Sequence, residues 1–127
     1  MSTPKRTSPI IDPRTFLPLT PFAFQVLLAI SDAPRHGYGI IREVDERTDG
    51  LIKLRTGTLY TLLQRLLDEG LIEESDDRGH PDDDDERRRY YTVTTLGRSV
   101  MHAEARRLEA LVGEARRKHV LGRSSKA

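Results

Sequence analysis

The sequence contains no cysteine, which excludes a disulfide framework and any zinc site built on thiolates, and suits a cytoplasmic setting. It also lacks an apolar run long enough to span a bilayer: the longest, residues 22–30, is interrupted by Gln25. Lys5 and Arg6 are followed by no apolar core, so neither a secretory signal nor a membrane partner is expected. No charge sign dominates. The formal net charge is +1, whereas a non-specific polyanion binder is usually basic throughout. A nucleophile elbow, a zinc motif and a phosphate loop are all missing, so the chain is not expected to be an enzyme or to need a cofactor.

The near-zero total hides a segregation. Residues 75–86 hold one Arg against seven carboxylates, while residues 87–127 hold eleven Lys or Arg against three Glu. Residues 21–74 carry six basic and nine acidic side chains. Any attraction to DNA must therefore come from local patches, helped by base contacts or by doubling through a dimer.

A length of 127 residues fits one domain with a modest core. Its organising stretch is residues 55–74. Leu59, Leu62, Leu63 and Leu66 recur at the spacing of one helical face and should be buried. The opposite face carries Gly57, Tyr60, Thr61, Gln64 and Asp68, with Arg65 at its margin. It is polar but mostly uncharged, and hydroxyl and amide groups such as Thr61 and Gln64 can hydrogen-bond base edges in a major groove. A solvated face is the plainer alternative. Thr56 is the expected N-cap, and Gly70 the left-handed stop. Residues 71–74 then read as a strand, paired with a return strand over residues 88–93. In the return strand, period two puts Tyr91 and Val93 on the core face and Arg88, Tyr90 and Thr92 on the other. Helix, hairpin and groove-facing surface together describe a winged helix.

Residues 1–18, with four prolines, read as a mobile arm in which Lys5, Arg6 and Arg14 offer extra basic contacts or none. Thr20-Pro21 opens the first helix, which is apolar on nearly all sides up to Ala33-Pro34 and so is expected to be buried against its own domain and a partner subunit. His36 reads as a cap or surface residue opening a second helix that stops at Asp49-Gly50. Gly37 and Gly39 follow no strand and read as close-packing positions. Residues 51–54 look like a short strand. Arg87, Arg88 and Arg89 sit at the wing base, where they either hold phosphates or neutralise the acid run 82–86. That run, beside His80, lacks the spaced ligands of a calcium loop. Thr94-Thr95 caps a last helix reaching about residue 120. Within it Met101, Ala105, Leu108, Val112, Ala115 and His119 alternate in steps of four and three, with Leu111 widening the seam, the pattern of a coiled-coil stripe that meets either its own domain or another copy; the helix outruns a winged domain, so a second subunit is the natural partner.

These motifs resemble the PadR family of bacterial transcriptional regulators. The resemblance rests on His36-Gly37-Tyr38-Gly39-Ile40; on Gly57-Thr58-Leu59-Tyr60 with Leu63, Arg65, Leu66 and Gly70-Leu71-Ile72; and on Arg89-Tyr90-Tyr91 with Thr94, Gly97 and Arg98. It covers about residues 20–117. It implies a mainly α fold with a small β-hairpin (α+β): a homodimeric winged helix-turn-helix that represses a nearby operon from a double-stranded operator and is released by a small-molecule effector. The expected divisions are an arm 1–18, a winged-helix domain 19–94, a dimerisation helix 95–121 and a tail 122–127. On this reading Thr56, Thr58, Tyr60, Thr61 and Gln64 approach the major groove, while Lys53, Arg55, Arg65, Arg88 and Arg89 hold phosphates. Dimerisation would use Phe22, Met101, Ala105, Leu108, Leu111, Val112 and Ala115, and an effector would lie near Phe22, Phe24 and Met101. Two departures stand out: Thr61 occupies a position where the family often has Pro, and an acidic insertion precedes Arg87. A winged-helix module that meets a protein instead of DNA is the alternative.

Overall fold

The computed structural model describes residues 11–75 and 89–122. Four α-helices and one small antiparallel sheet follow in the order α1 (Pro21–Ala29), β1 (Arg35–His36), α2 (Gly37–Arg47), α3 (Thr56–Asp68), β2 (Ile72–Ser75), β3 (Tyr90–Val93) and α4 (Thr95–Arg117). This is the expected α+β winged helix, with one addition. The sheet has three strands in the order β1-β3-β2, because Arg35 and His36 pair with Tyr91 and Tyr90 on the free side of β3.

Most helix ends follow from their residues. Thr20 Oγ1 accepts from the Ala23 amide at 3.1 Å and Pro21 takes the first helical position. His36 caps α2, its Nδ1 accepting from the Gly39 amide at 3.1 Å. Gly70 ends α3 with φ +79°, a conformation that costs a side-chain-bearing residue steric strain. Three expectations need correction. The cap of α3 is Arg55, which makes no side-chain bond, and Thr56 is the first helical residue. α1 stops at Ala29, before the predicted Ala33-Pro34, as the Ile30 and Ser31 amides turn back to Leu27 and Leu28. Residues 51–54 form no strand, since the Leu51 and Ile52 amides donate to Thr48 (3.0 and 3.1 Å) and are spent on the end of α2.

The core is where the leucine stripe of α3 meets the other elements. Leu59, Leu62, Leu63 and Leu66 are buried with Val26, Leu27 and Ile30 from the α1 segment, Ile40 and Val44 of α2, and Val100 of α4. At roughly 2 kcal/mol per buried aliphatic side chain, this packing, rather than helix propensity, fixes the orientation of α3. Tyr91 and Val93 are buried on the core face, as period two requires. Tyr90 is buried on the other face, edge-on to His36 with ring centroids 5.1 Å apart.

The start of α4 is fastened to the end of α3. Thr94 donates its amide to the Leu71 carbonyl at 3.0 Å and its hydroxyl to the Gly70 carbonyl at 2.6 Å, and the same hydroxyl accepts from the Gly97 amide at 3.0 Å. Arg98 reaches the Ser31 carbonyl at 2.6 Å. The buried positions of α4 are Gly97, Val100 and Glu104. From residue 109 to 117 none is buried, and Leu111 and Val112 stay 58% and 43% exposed.

Part of the supposed arm is structured. Pro13–Phe16 form a 3-10 turn capped by Asp12, with Phe16 and Leu17 packed on the core and the turn lying against α4. Arg14 is held by Asp12 at 2.9 Å, while Lys5 and Arg6 lie outside the described residues. The turn leads into Leu19, whose amide donates to Glu104, a buried carboxylate also bound by Arg107 at 2.7 and 3.0 Å. The Arg107 guanidinium, more than the Leu19 amide, holds the Glu104 pKa below its ordinary 4.5 despite burial. Because the folded value is the lower one, this carboxylate stabilises the fold above its unfolded pKa and ceases to as pH falls through the folded value. Glu104→Gln should therefore lower stability by about 1–2 kcal/mol at neutral pH. Denaturant titrations repeated down to acid pH should show the deficit vanishing; a pH-independent deficit would contradict the assignment.

Candidate nucleic-acid interface

Burying one side of α3 leaves the other at the surface. Thr56, Gly57, Thr58, Tyr60, Thr61, Gln64 and Arg65 are all exposed, and none of the helix's four buried leucines interrupts that face. Since Thr56 does not cap the helix, its hydroxyl sits in the open first turn. A Cβ added at Gly57 would meet nothing within 4 Å, so the fold does not demand glycine there; the open space suits close approach of another backbone. On one side the helix borders a groove shared with Pro21 and Phe22, into which Thr58, Thr61 and Arg65 look. On the other it borders a cavity shared with the start of α2 and the base of the hairpin, which Tyr60 and Gln64 line.

The expected phosphate-holding cations surround this face, but most are already engaged. Lys53 pairs with Asp45 at 3.0 Å, Arg65 with Glu69 at 3.7 Å and Arg89 with Glu74 at 3.1 Å. Gln64 donates to Asp68 at 3.0 Å. Arg55 makes no ion pair among the described residues. Arg88, like Arg87 and the acid run 82–86, lies outside the described residues. Exposed pairs of this kind contribute little, about 0–1 kcal/mol each, so a phosphate can exchange for the carboxylate. The exchange replaces one anion by another, and the face is close to electrically neutral before any partner arrives.

The residues expected at a subunit contact divide into two groups. Phe22 (44% exposed), Leu111 and Val112 present apolar surface to solvent, and Ala105 is exposed too. Met101, Leu108 and Ala115 are half-buried. The three residues suggested for an effector are not gathered: Phe22 lines the groove beside Thr58, whereas Phe24 and Met101 pack against the core. Among the described residues no His, Cys, Asp and Glu cluster is arranged to hold a metal ion, and no helix is long and apolar enough to cross a membrane.

Sequence reasoning missed the cavity beside Tyr60. Its one sequence signal is the pairing of Gly37 with Tyr60, because a Cβ at Gly37 would overlap the Tyr60 hydroxyl. It also missed the internal pairing of the cations: Lys53 and Arg89 find their partners on other segments, Asp45 of α2 and Glu74 of β2, while Arg65 pairs with Glu69 one turn further along its own helix.

The sequence model of the transcriptional regulator PadR-like family matches residues 26–103, more than half of the chain. Among solved structures, a transcriptional regulator from Clostridium thermocellum is 24% identical, the match covering 78% of this chain and 89% of that one at a TM-score of 0.63. A PadR family transcription regulator from Clostridium difficile is 21% identical over 75% of this chain and 94% of the other, with a TM-score of 0.61. RosR of H. salinarum is 27% identical over 83% and 89%, with a TM-score of 0.57. No curated protein matches.

Proposed function

The chain belongs to the PadR-like family of transcriptional regulators, and from that membership we propose that it is a dimeric, sequence-specific DNA-binding regulator, a cytoplasmic repressor released by a small-molecule effector, with no catalytic role. The observation that carries this reading is the exposed face of α3, rich in hydroxyl and amide groups and held rigid by four buried leucines. Thr56, Thr58, Tyr60, Thr61 and Gln64 approach base edges in the major groove. Lys53, Arg55, Arg65, Arg88 and Arg89 meet phosphates, the first-turn amides of α3 adding partial positive charge. Pairing of two copies along the distal half of α4, with Phe22 contributing from α1, covers the apolar residues that one chain leaves in water.

Gel-shift titration at several salt concentrations tests the DNA contact, because each phosphate engaged releases counterions. Arg55→Ala, which removes the one interface cation without an ion pair among the described residues, should lower the slope of log affinity against log salt by about 1. Gln64→Ala should weaken binding by about 1–3 kcal/mol and relax preference at one base position. Equal loss on operator and scrambled duplexes would remove Gln64 from base readout. The internal pairing of Lys53, Arg65 and Arg89 favours a second reading, in which the same polar face docks a protein. A complex indifferent to salt and to DNA sequence would support it.

A further inference from the structure

Asp68 is the last residue of α3 and stands on its exposed face, one turn beyond Gln64. The stability of the fold does not call for a carboxylate there. Negative charge in the last turn of a helix opposes the helix dipole, and Asp68 pairs with no cation among the described residues: Arg65, three residues earlier, goes to Glu69 instead. Beside a surface that meets DNA, the same charge also repels phosphates. What Asp68 does hold is Gln64, whose Nε2 donates to its Oδ1 at 3.0 Å. A glutamine and an aspartate one turn apart add a little to a helix, which offsets the unfavourable dipole without explaining the choice of a charged partner.

The bond decides which end of the Gln64 amide is presented. An ionised carboxylate only accepts, so the end it holds is the NH2 group, and the carbonyl oxygen Oε1 is turned away from it. A glutamine without such a partner can lead with either end: it donates to guanine O6 or N7 or to thymine O4, or it accepts from the amino group of adenine or cytosine. Held by Asp68, Gln64 leads with its acceptor. The hold tightens where a docked duplex displaces water, because the local dielectric falls.

We propose that Asp68 is a positioning residue that sets base preference through Gln64: by holding the amide nitrogen it makes α3 select an amino base, adenine or cytosine, at one operator position and reject guanine or thymine there. The proposal rests on the DNA-binding reading and refines it, and it requires no contact between Asp68 and the duplex. Asp68 lowers attraction to every duplex alike while sharpening the choice among them.

The test uses the full chain as wild type, Gln64→Ala, Asp68→Ala and the double variant Asp68→Ala with Gln64→Glu. Each is titrated against a duplex that the wild type selects from a random pool, against versions of it with every position changed in turn, and against a scrambled duplex. Thermal melting checks that the variants are folded. At the position whose preference Gln64→Ala abolishes, the wild type should favour an amino base about tenfold over guanine or thymine. Asp68→Ala should cut that preference to about twofold and bind the scrambled duplex about two- to fivefold more tightly, since one repelling charge is gone. Adding Gln64→Glu should restore the preference, because a carboxylate has no donor end, and the double variant carries the same net charge as the wild type. An unchanged preference in Asp68→Ala overturns the proposal, as does a loss that Gln64→Glu fails to restore, or a wild-type preference for guanine or thymine at that position. Those results leave the regulator reading standing. A wild type that enriches no sequence sinks that reading, and the proposal with it.

Discussion

Replacing Leu111 and Val112 together by glutamate is expected to convert the protein to a monomer and to reduce its affinity for its operator by about 10²–10⁴-fold. Both side chains lie on the distal part of α4, where they are 58% and 43% exposed and stand outside the buried core. An apolar stripe at alternating steps of three and four is costly in water and is covered most simply by its own copy in a two-fold pair. Charges placed there oppose pairing without touching the core. The DNA loss then follows from effective concentration: two linked α3 helices bind as one event, and a single one must bind alone, with cations already partly neutralised. Sedimentation velocity reads the first effect and gel-shift titration the second. A variant that stays dimeric, or a monomer that keeps full affinity, would contradict this role for α4.

Gly97→Ala should destabilise the fold by about 3 kcal/mol, lowering the melting temperature by about 10 °C or more. Gly97 is fully packed in the first turn of α4, where an added Cβ would run into the Leu71 carbonyl and the Val93 side chain. The carbonyl cannot move aside, because it accepts the Thr94 amide that joins β3 to α4. Strain here would loosen the junction between the end of α3, the sheet and α4 together. Gly57→Ala is the control, since its Cβ meets open space; it should leave stability within about 0.5 kcal/mol of wild type or raise it, as alanine is the better helix former. Equal melting temperatures for Gly97→Ala and wild type would contradict the packing described.

The elements that the sequence made legible are those whose signal is local and repeated. The four-leucine stripe, the Gly70 stop, the Thr20 and Thr94 caps and the inward Tyr91 and Val93 each follow from spacing or from one residue's conformational preference. What was hidden depends on partners far along the chain. β1 is two residues long and shows no alternation; it exists because β3 has an unpaired side. Residues 51–54 look extended and apolar, but their first amides are taken by Thr48. Thr56 and Arg55 are neighbours, and which of them caps α3 is decided by where the chain enters the helix. Glu104 sits in a charged helix with nothing in its own neighbourhood to mark it as buried; its place becomes clear only when the 3-10 turn lies against α4 and the Leu19 amide reaches its carboxylate. The exposed face of α3 was visible as a polar stripe, whereas the engagement of Lys53 and Arg89 required the fold to bring Asp45 and Glu74 alongside.

Hydroxyl-radical footprinting on a duplex selected by the protein from a random pool tests most directly whether twin α3 helices read adjacent major grooves. The expected result is two protected segments related by two-fold symmetry, centred about one helical turn, roughly 34–36 Å, apart. One continuous segment without symmetry, or a pool from which no sequence is enriched, would contradict it.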